Sequence, residues 1–387
     1  MPFPPYPVPP APVTWIDGPV FTSLLRNDVA NAVAFLANRP SFQATCTTGP
    51  AVGGGYSPNG VALDTEVYDT WAGHWQPTDP VFWYATQPGT LGYYLAEGYV
   101  PFGYALSSTA LFSAGIQYGA PNSGGGGSLT TTWGETHPVG NGHYPGPCVV
   151  DLVPLTVSGA IAGLGSAVGM WCAQNSGSPV NLLTPSNITG APRLSLRWAC
   201  ALTGVAGLPV PANPAWPTPP DYIDPGSWLN PNIRDTIDYL VYPPTARLFY
   251  EAGVAKMPTG SFPAGSVVPL DTPTFDNYGG YVKNGWTAPV NGVYYLHGQV
   301  SFGAASGSGN YSAGLQVAGG TPQWGKAIRG PASSPGLCVS VTKQLRLTAG
   351  QTVQLVGAQS TGANVLLTNP GANTGPQSKL IAVWESA

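Results

Sequence analysis

Leu270-Asp271-Thr272, followed by Phe275-Asp276 and Tyr278-Gly279-Gly280, restates Leu63-Asp64-Thr65, Tyr68-Asp69 and Trp71-Ala72-Gly73. The correspondence continues outward in both directions. Downstream, Gly92-Tyr93-Tyr94 answers Gly292-Val293-Tyr294, and Gly98 with Phe102 answers Gly298 with Phe302 at the same spacing. Near the two ends, Ala173-Gln174-Asn175-Ser176-Gly177 parallels Ala358-Gln359-Ser360-Thr361-Gly362, Leu182-Leu183-Thr184 parallels Leu366-Leu367-Thr368, and Leu194 with Trp198 parallels Leu380 with Trp384. Upstream, Trp15-Ile16-Asp17 matches Tyr222-Ile223-Asp224. Order and approximate spacing hold throughout, which is the signature of a duplicated unit.

Each unit opens with a helical pattern. Leu25, Val29, Val33 and Leu36 form an apolar stripe in the first copy; Ile233, Ile237 and Leu240 form it in the second. Thr22 or Ser23 suits the first N-cap, Asn230 the second, and Pro231 the first turn after it. Helices this short are marginal alone, so each stripe needs a partner: its own adjoining domain, or the same helix in sister chains. The stripe is thus a candidate oligomer interface. The segment after each helix is β-rich, with short apolar runs such as Val293-Tyr294-Tyr295-Leu296 set between Gly, Pro and Asn. The fold class expected is mainly β: two tandem jelly-roll β-sandwiches, each preceded by a short α-helix.

The expected order is a Pro-rich arm (1–14), a helical segment (15–40) and a first jelly roll (41–205) interrupted by a Gly-rich insert (122–147). A Pro-rich linker (206–220), a second helical segment (221–244) and a second jelly roll (245–387) complete the chain. Residues 1–12 hold seven prolines and no basic residue, which does not read as a signal peptide. They predict an extended polyproline arm or a disordered terminus. The run from Leu152 to Cys172 has no charged side chain. It stands where the second copy alternates Leu345, Leu347, Val353 and Leu355, so it reads as two strands with a face against a neighbour, not as a membrane span.

Composition narrows the function. Only 8% of residues are charged and the net charge is −4, so the chain lacks the clustered Lys and Arg of a nucleic-acid footprint. Aromatics reach 11%, which speaks for folded domains despite 52 Gly and 43 Pro. The five cysteines, Cys46, Cys148, Cys172, Cys200 and Cys338, are odd in number and show no zinc spacing; they read as mostly buried free thiols. His74 takes the place of Tyr281 and reads as a packing residue. His297 answers Glu97, which suggests an exposed strand position. His137 and His143, with Glu135, fall in the Gly-rich insert without a metal-ligand pattern. The pairs Asp64/Asp69 and Asp271/Asp276 occur in both copies and read as turn-capping carboxylates. The sequence has no nucleophile elbow or phosphate loop. No catalytic residue, cofactor or metal is expected, and the protein is not expected to be an enzyme. Trp71, Trp75, Trp83, Tyr84 and Trp324 could form a surface-binding aromatic platform, or pack in a core or interface.

Two stretches carry resemblances. Phe275-Asp276-Asn277-Tyr278-Gly279-Gly280-Tyr281, then Gly285-Trp286-Thr287-Ala288-Pro289-Val290-Asn291-Gly292-Val293-Tyr294-Tyr295-Leu296, resembles the globular head of complement recognition proteins and their tumour-necrosis-factor-like relatives. Leu345, Leu347 and Gly350 with Val353 and Leu355 resemble that family's late strand pair. The resemblance covers about 246–387 and implies a jelly roll that forms homotrimers. The first copy departs from the pattern in having Thr70 in place of Asn277. The family's calcium ligands have no counterpart that can be placed. Trp15-Ile16-Asp17-Gly18, with Phe35-Leu36 and Arg39-Pro40 after it, resembles the start of tail and virion proteins of phages infecting actinobacteria. That resemblance implies a minor tail protein at the tail tip that contributes to host attachment. It would be located in the virion after assembly in the bacterial cytoplasm, with partners in itself, in other virion proteins through the N-terminal arm, and in a host-surface glycan or protein. A capsid decoration protein or head fibre, and a glycan-binding adhesin module, are the alternatives.

Overall fold

The computed structural model describes residues 33–55, 57–73, 81–85, 91–103, 110–120, 128–138, 146–156, 165–183, 190–202, 235–260, 265–304, 307–330, 337–368 and 376–386. Strands are numbered along the chain. In the first unit, β1 (Ser41–Thr45), β4 (Thr65–Asp69), β6 (Gly92–Tyr99), β9 (Cys148–Leu155) and β12 (Arg193–Cys200) form an antiparallel sheet in the order β4-β1-β12-β6-β9. Alternation builds it: Leu194, Leu196 and Trp198 of β12 enter the core, and Arg193, Ser195 and Arg197 face out. Facing it, β3 (Asn59–Gly60), β5 (Phe82–Tyr84), β7 (Leu111–Ala120), β8 (Ser128–Pro138) and β10 (Ala167–Gln174) form the second sheet. Between them pack Phe42, Trp83, Tyr94, Phe102, Phe112 and Met170, all fully buried.

The second unit repeats this plan. Its first sheet runs β16-β13-β26-β19-β23, from β13 (Thr245–Phe249), β16 (Thr272–Asp276), β19 (Gly292–Phe302), β23 (Leu337–Leu347) and β26 (Lys379–Ser386). Its second sheet joins β15 (Ser266–Val267), β17 (Tyr281–Val282), β18 (Gly285–Thr287), β20 (Gly309–Val317), β21 (Gln323–Trp324), β22 (Ile328–Gly330) and β24 (Thr352–Gln359). Small pairs close the ends: β2 (Ala51–Val52) with β11 (Val180–Asn181), and β14 (Lys256–Met257) with β25 (Val365–Leu366). The chain is two tandem jelly-roll sandwiches.

Shared hydrogen bonds explain the shared sequence. Asp64 accepts the backbone N–H of Thr47 and Thr48, and Asp271 accepts those of Glu251 and Ala252. These carboxylates cap turns, as the duplication implied. Gln174 donates to the carbonyls of Val52 and Ser178; Gln359 donates to those of Met257 and Ala363. Asn277 accepts from Thr245 N and donates to Pro243 O, and Thr70 does the same for Ser41 N and Arg39 O. Thr70 therefore keeps the contact that Asn277 makes in the second unit. At Gly92 and Gly292 a side chain would collide with the rings of Trp198 and Trp384, so both steps need glycine.

The Gly-rich segment 122–147 is not wholly an insert. Its residues from Ser128 form β8, and Gly115 pairs Trp133 where Gly314 pairs Trp324. Trp133-Gly134 is the counterpart of Trp324-Gly325. The alternating apolar run near Leu152 forms β9 and β10, and among the described residues no helix is long and apolar enough to cross a membrane.

Two short helices seal the sandwich ends. A turn at 33–37, α1, buries Phe35 edge-on between Trp71 (5.9 Å) and Trp198 (5.1 Å). In α2 (Asp235–Val241), Tyr239 sits edge-on to Trp384 (4.9 Å) and Tyr278 (6.4 Å). The side chain that docks each helix on its own sandwich is thus the aromatic one residue before the last leucine of the expected stripe. Val33 is 54% exposed. Leu36, Ile237 and Val241 pack together with Ala201, and Leu240 leans on the second core. Leu36, Ile237 and Leu240 are engaged within the chain, the first of the two partners the stripe allows. Leu25, Val29 and Ile233 lie outside the described residues.

Candidate functional site

Of the two roles the sequence leaves open for the aromatics, surface platform or packing, most of them take the second. Trp71, Trp83 and Tyr84 are buried; Trp83 donates its indole N–H to Asp69 at 3.0 Å and packs on Phe42 and Tyr94. Large rings in a β-rich unit fill the gap between sheets, which overrides a surface role. Trp324 is half-buried over Gly314 and Gly265, and Trp75 lies outside the described residues.

The polar chemistry of the molecule gathers instead where the two sandwiches meet. Both strands β19 and β26 are buried on both faces. Leu296, Val300, Leu380 and Ala382 point into the second core, while Tyr295, Ile381 and Val383 point outward onto Leu95, Val150, Leu152 and Ala199 of the first sandwich. The stacked pair Tyr93–Phe275, with centroids 3.7 Å apart, extends this apolar patch. The uncharged face of β9 is therefore covered by the second sandwich.

Beside the patch lies a buried charge cluster. Asp151 of β9 accepts Arg247 Nη2 at 2.6 Å and stands 3.5 Å from Lys379 Nζ. Arg247 Nη1 also donates to Tyr118 Oη at 3.2 Å. Burial pushes the Asp151 carboxyl up, but the charges of Arg247 and Lys379 outweigh it and hold it below the usual value. Burial also lowers the Lys379 ammonium, with Asp151 opposing. Around the cluster, Gln299 donates to Trp133 O at 3.0 Å, Ser340 donates to Glu135 at 2.6 Å, and Tyr295 donates to Glu97 at 2.6 Å. At the rim, Arg197 pairs Glu385 at 2.7 Å and lies over the Tyr295 ring. Arg39 and Ala201 bond the last carbonyls of α2.

His297 belongs to this junction. The sequence suggested an exposed position, because its counterpart is Glu97; it is 2% exposed, since the first sandwich covers that face. Burial and the nearby Lys379 charge push its imidazole down to about 3, so it is neutral and bonds Thr342 through Nδ1 at 2.9 Å. His137 is also displaced from expectation: it lies on β8, not in a loop, 3.1 Å from Glu135. His74 and His143 lie outside the described residues. Among the described residues no group of three or more His, Cys, Asp and Glu could hold a metal ion. All five thiols are free, and Cys46, Cys172, Cys200 and Cys338 are buried. The junction was not foreseen as a site. Its signals were the odd buried-type charges, Asp151 and Lys379, inside otherwise apolar strands.

The junction has a direction. The second sandwich contributes the outer face of its first sheet, through Arg247, Tyr295, His297, Gln299 and Lys379. The first contributes the outer face of its own first sheet, through Tyr93, Leu95, Glu97, Val150, Leu152, Arg197 and Ala199, and beside it Tyr118, Thr132, Glu135 and Asp151.

No protein-family model and no curated protein matches the chain. Among solved structures, the chain is similar to the Eiger TNF of S. frugiperda, with 13% identity and a TM-score of 0.27, covering 37% of this chain and 92% of that one. It is also similar to the globular domain of the zebrafish complement 1qA protein, with 15% identity and a TM-score of 0.24, covering 36% of this chain and 94% of that one. Each comparison spans about one sandwich. The jelly-roll assignment rests on the strand order of both sandwiches.

Proposed function

We propose that this chain is a structural, non-catalytic protein of a bacteriophage particle, a trimeric minor tail protein that helps build the tail tip and contributes to host attachment. The observation that carries the structural role is the interlocked pair of sandwiches: polar chemistry is spent on joining domains, through Asp151, Arg247, Lys379, Gln299 and Glu135. The phage context is supported by the opening phrase Trp15-Ile16-Asp17-Gly18 and by the low charge, which suits surfaces covered in an assembly. A trimer built on a helical collar loses support, because Leu36, Ile237 and Leu240 pack within one chain. An adhesin platform of Trp71, Trp83 and Tyr84 loses support for the same kind of reason.

The test is localisation. Antibody labelling of intact particles should mark the tail tip, and sedimentation of the purified protein should give three copies. Label on the capsid would shift the assignment to decoration or head fibre. Absence from purified particles would end the virion reading altogether.

A further inference from the structure

Away from the junction, two buried polar atoms without partners share one face. They are the indole N–H of Trp171 and the side-chain carbonyl of Gln117, and among the described residues neither has a hydrogen-bond partner. Register brings them together on the outer face of the first sandwich's second sheet. Gly115 pairs Trp171 and Gln117 pairs Gly169, so the two side chains stand diagonally across neighbouring strands, β10 and β7. Met170, Cys172, Ile116 and Tyr118, the residues on either side of them, point the other way into the core. Phe82 of β5 joins the outer face opposite Gly169. Thr131 of β8 joins it opposite Gln117, whose amide N–H it accepts at 3.2 Å. Phe82, Trp171, Gln117 and Thr131 are half-buried. A side chain at Gly169 would collide with the Phe82 ring, so glycine lets that ring lie against the sheet. The sheet runs β3-β10-β7-β8, and the junction residues Thr132 and Glu135 are on β8. Trp171 and Phe82 therefore lie on the side of the sheet away from the second sandwich.

The fold does not require these two rings. In the second sandwich Gly314 pairs Val356, which puts Val356 in the place of Trp171 and Gln316 in the place of Gln117. Trp83 and Trp286 lie against the equivalent glycines Gly73 and Gly280, so Gly285 takes the place of Phe82. The same sheet is thus built in the second copy without either aromatic side chain.

The chemistry of the face selects its ligand. Strands β3, β5, β7 and β10 carry no charged residue, so the face offers nothing to an ion. An unpaired buried donor beside an unpaired buried acceptor is costly. A hydroxyl, which accepts and donates at once, satisfies both, and the apolar C–H face of a sugar ring packs on aromatic rings. We propose that the outer face of β5, β10 and β7 binds a neutral carbohydrate, one hydroxyl of which accepts from Trp171 Nε1 and donates to Gln117 Oε1. This gives the host attachment proposed above a ligand class and rests on that reading for its setting. Binding is measured on the purified chain, so its failure and a failure of localisation are distinct results.

The full-length chain is applied to an array of neutral oligosaccharides of glucose, galactose, mannose and arabinose, with sialylated and sulfated glycans beside them. A neutral sugar should be retained, and titration with it should change tryptophan fluorescence. Trp171→Phe keeps a ring but loses the donor, and Gln117→Met keeps the volume but loses the acceptor; each should weaken binding by about five- to ten-fold. Because one hydroxyl serves both groups, the double variant should lose less than the product of the two single effects. Circular dichroism checks folding, and either variant suffices if the other does not fold. Retention of no neutral sugar, or preference for the anionic glycans, overturns the proposal. So does unchanged affinity in both variants, or a crystal structure with the retained sugar in which only water bridges Trp171 and Gln117. Loss of binding in Trp324→Ala with Trp171→Phe unaffected places the site on the other sandwich and equally overturns it.

Discussion

Single residues show what the duplication preserves. Gln359 ties the β14 end to the turn after β24 with two donated hydrogen bonds, and its carbonyl accepts Thr361 N at 2.8 Å. Gln174 repeats the arrangement with Ser176 N at 2.7 Å. Both side chains are buried, so removing either leaves backbone carbonyls without donors. Gln359→Ala is expected to cost about 1–3 kcal/mol, measured by urea unfolding, whereas Gln354→Ala on the same strand should be near neutral. Equal losses at the two positions would mean that the corner network contributes nothing specific. The Asp, Gln and Gly correspondences were legible in the sequence because each performs a fixed geometric task. Trp133-Gly134 and Trp324-Gly325 were equally matched but went unseen, since the Gly-rich stretch between Gly115 and Trp133 is longer than its counterpart and breaks the spacing.

At the scale of the element, the helices show where periodicity misleads. A stripe of Leu25, Val29, Val33 and Leu36 was legible, and it suggested a partner outside the sandwich. The anchoring residues turned out to be Phe35 and Tyr239, because an aromatic ring reaches into the sheet–sheet gap where an aliphatic side chain does not. Phe35→Ala and Tyr239→Ala are each expected to destabilise their own sandwich by about 3–5 kcal/mol. Leu36→Ala should affect chiefly the small cluster it shares with Ile237, Val241 and Ala201. Thermal melts followed by tryptophan fluorescence would separate these outcomes. Equal, small losses at Phe35 and Tyr239 would imply that the helices are not part of the sandwich cores. The aromatics of the first copy obey the same logic. Their crowding near Trp71–Tyr84 was plain, but burial depends on the sheet opposite, which local sequence does not specify.

At the scale of the whole molecule, the junction makes stability depend on pH through groups that cannot relax into water. Asp151 is depressed in the folded protein, so its contribution is present above the unfolded value of roughly 3.9 and is lost as pH falls through the lower folded value. His297 acts earlier. Its folded value is about 3, below an unfolded value of roughly 6.5, so between them the unfolded chain binds a proton that the folded chain refuses. Stability therefore falls as pH drops below about 6.5, with a limiting slope of about 1.4 kcal/mol per pH unit from this one group. The wild type should lose stability from about pH 6.5 downward in urea titrations, and His297→Gln should hold a flat profile until the carboxylate range is reached. Asp151→Asn should behave differently. It leaves Arg247 and Lys379 buried without a counter-charge and should cost about 3–5 kcal/mol near neutral pH, with the acid limb below about pH 4 reduced. If His297→Gln keeps the wild-type slope between about pH 6.5 and 4, the imidazole is reachable by water and the two sandwiches are not closed against each other at that face.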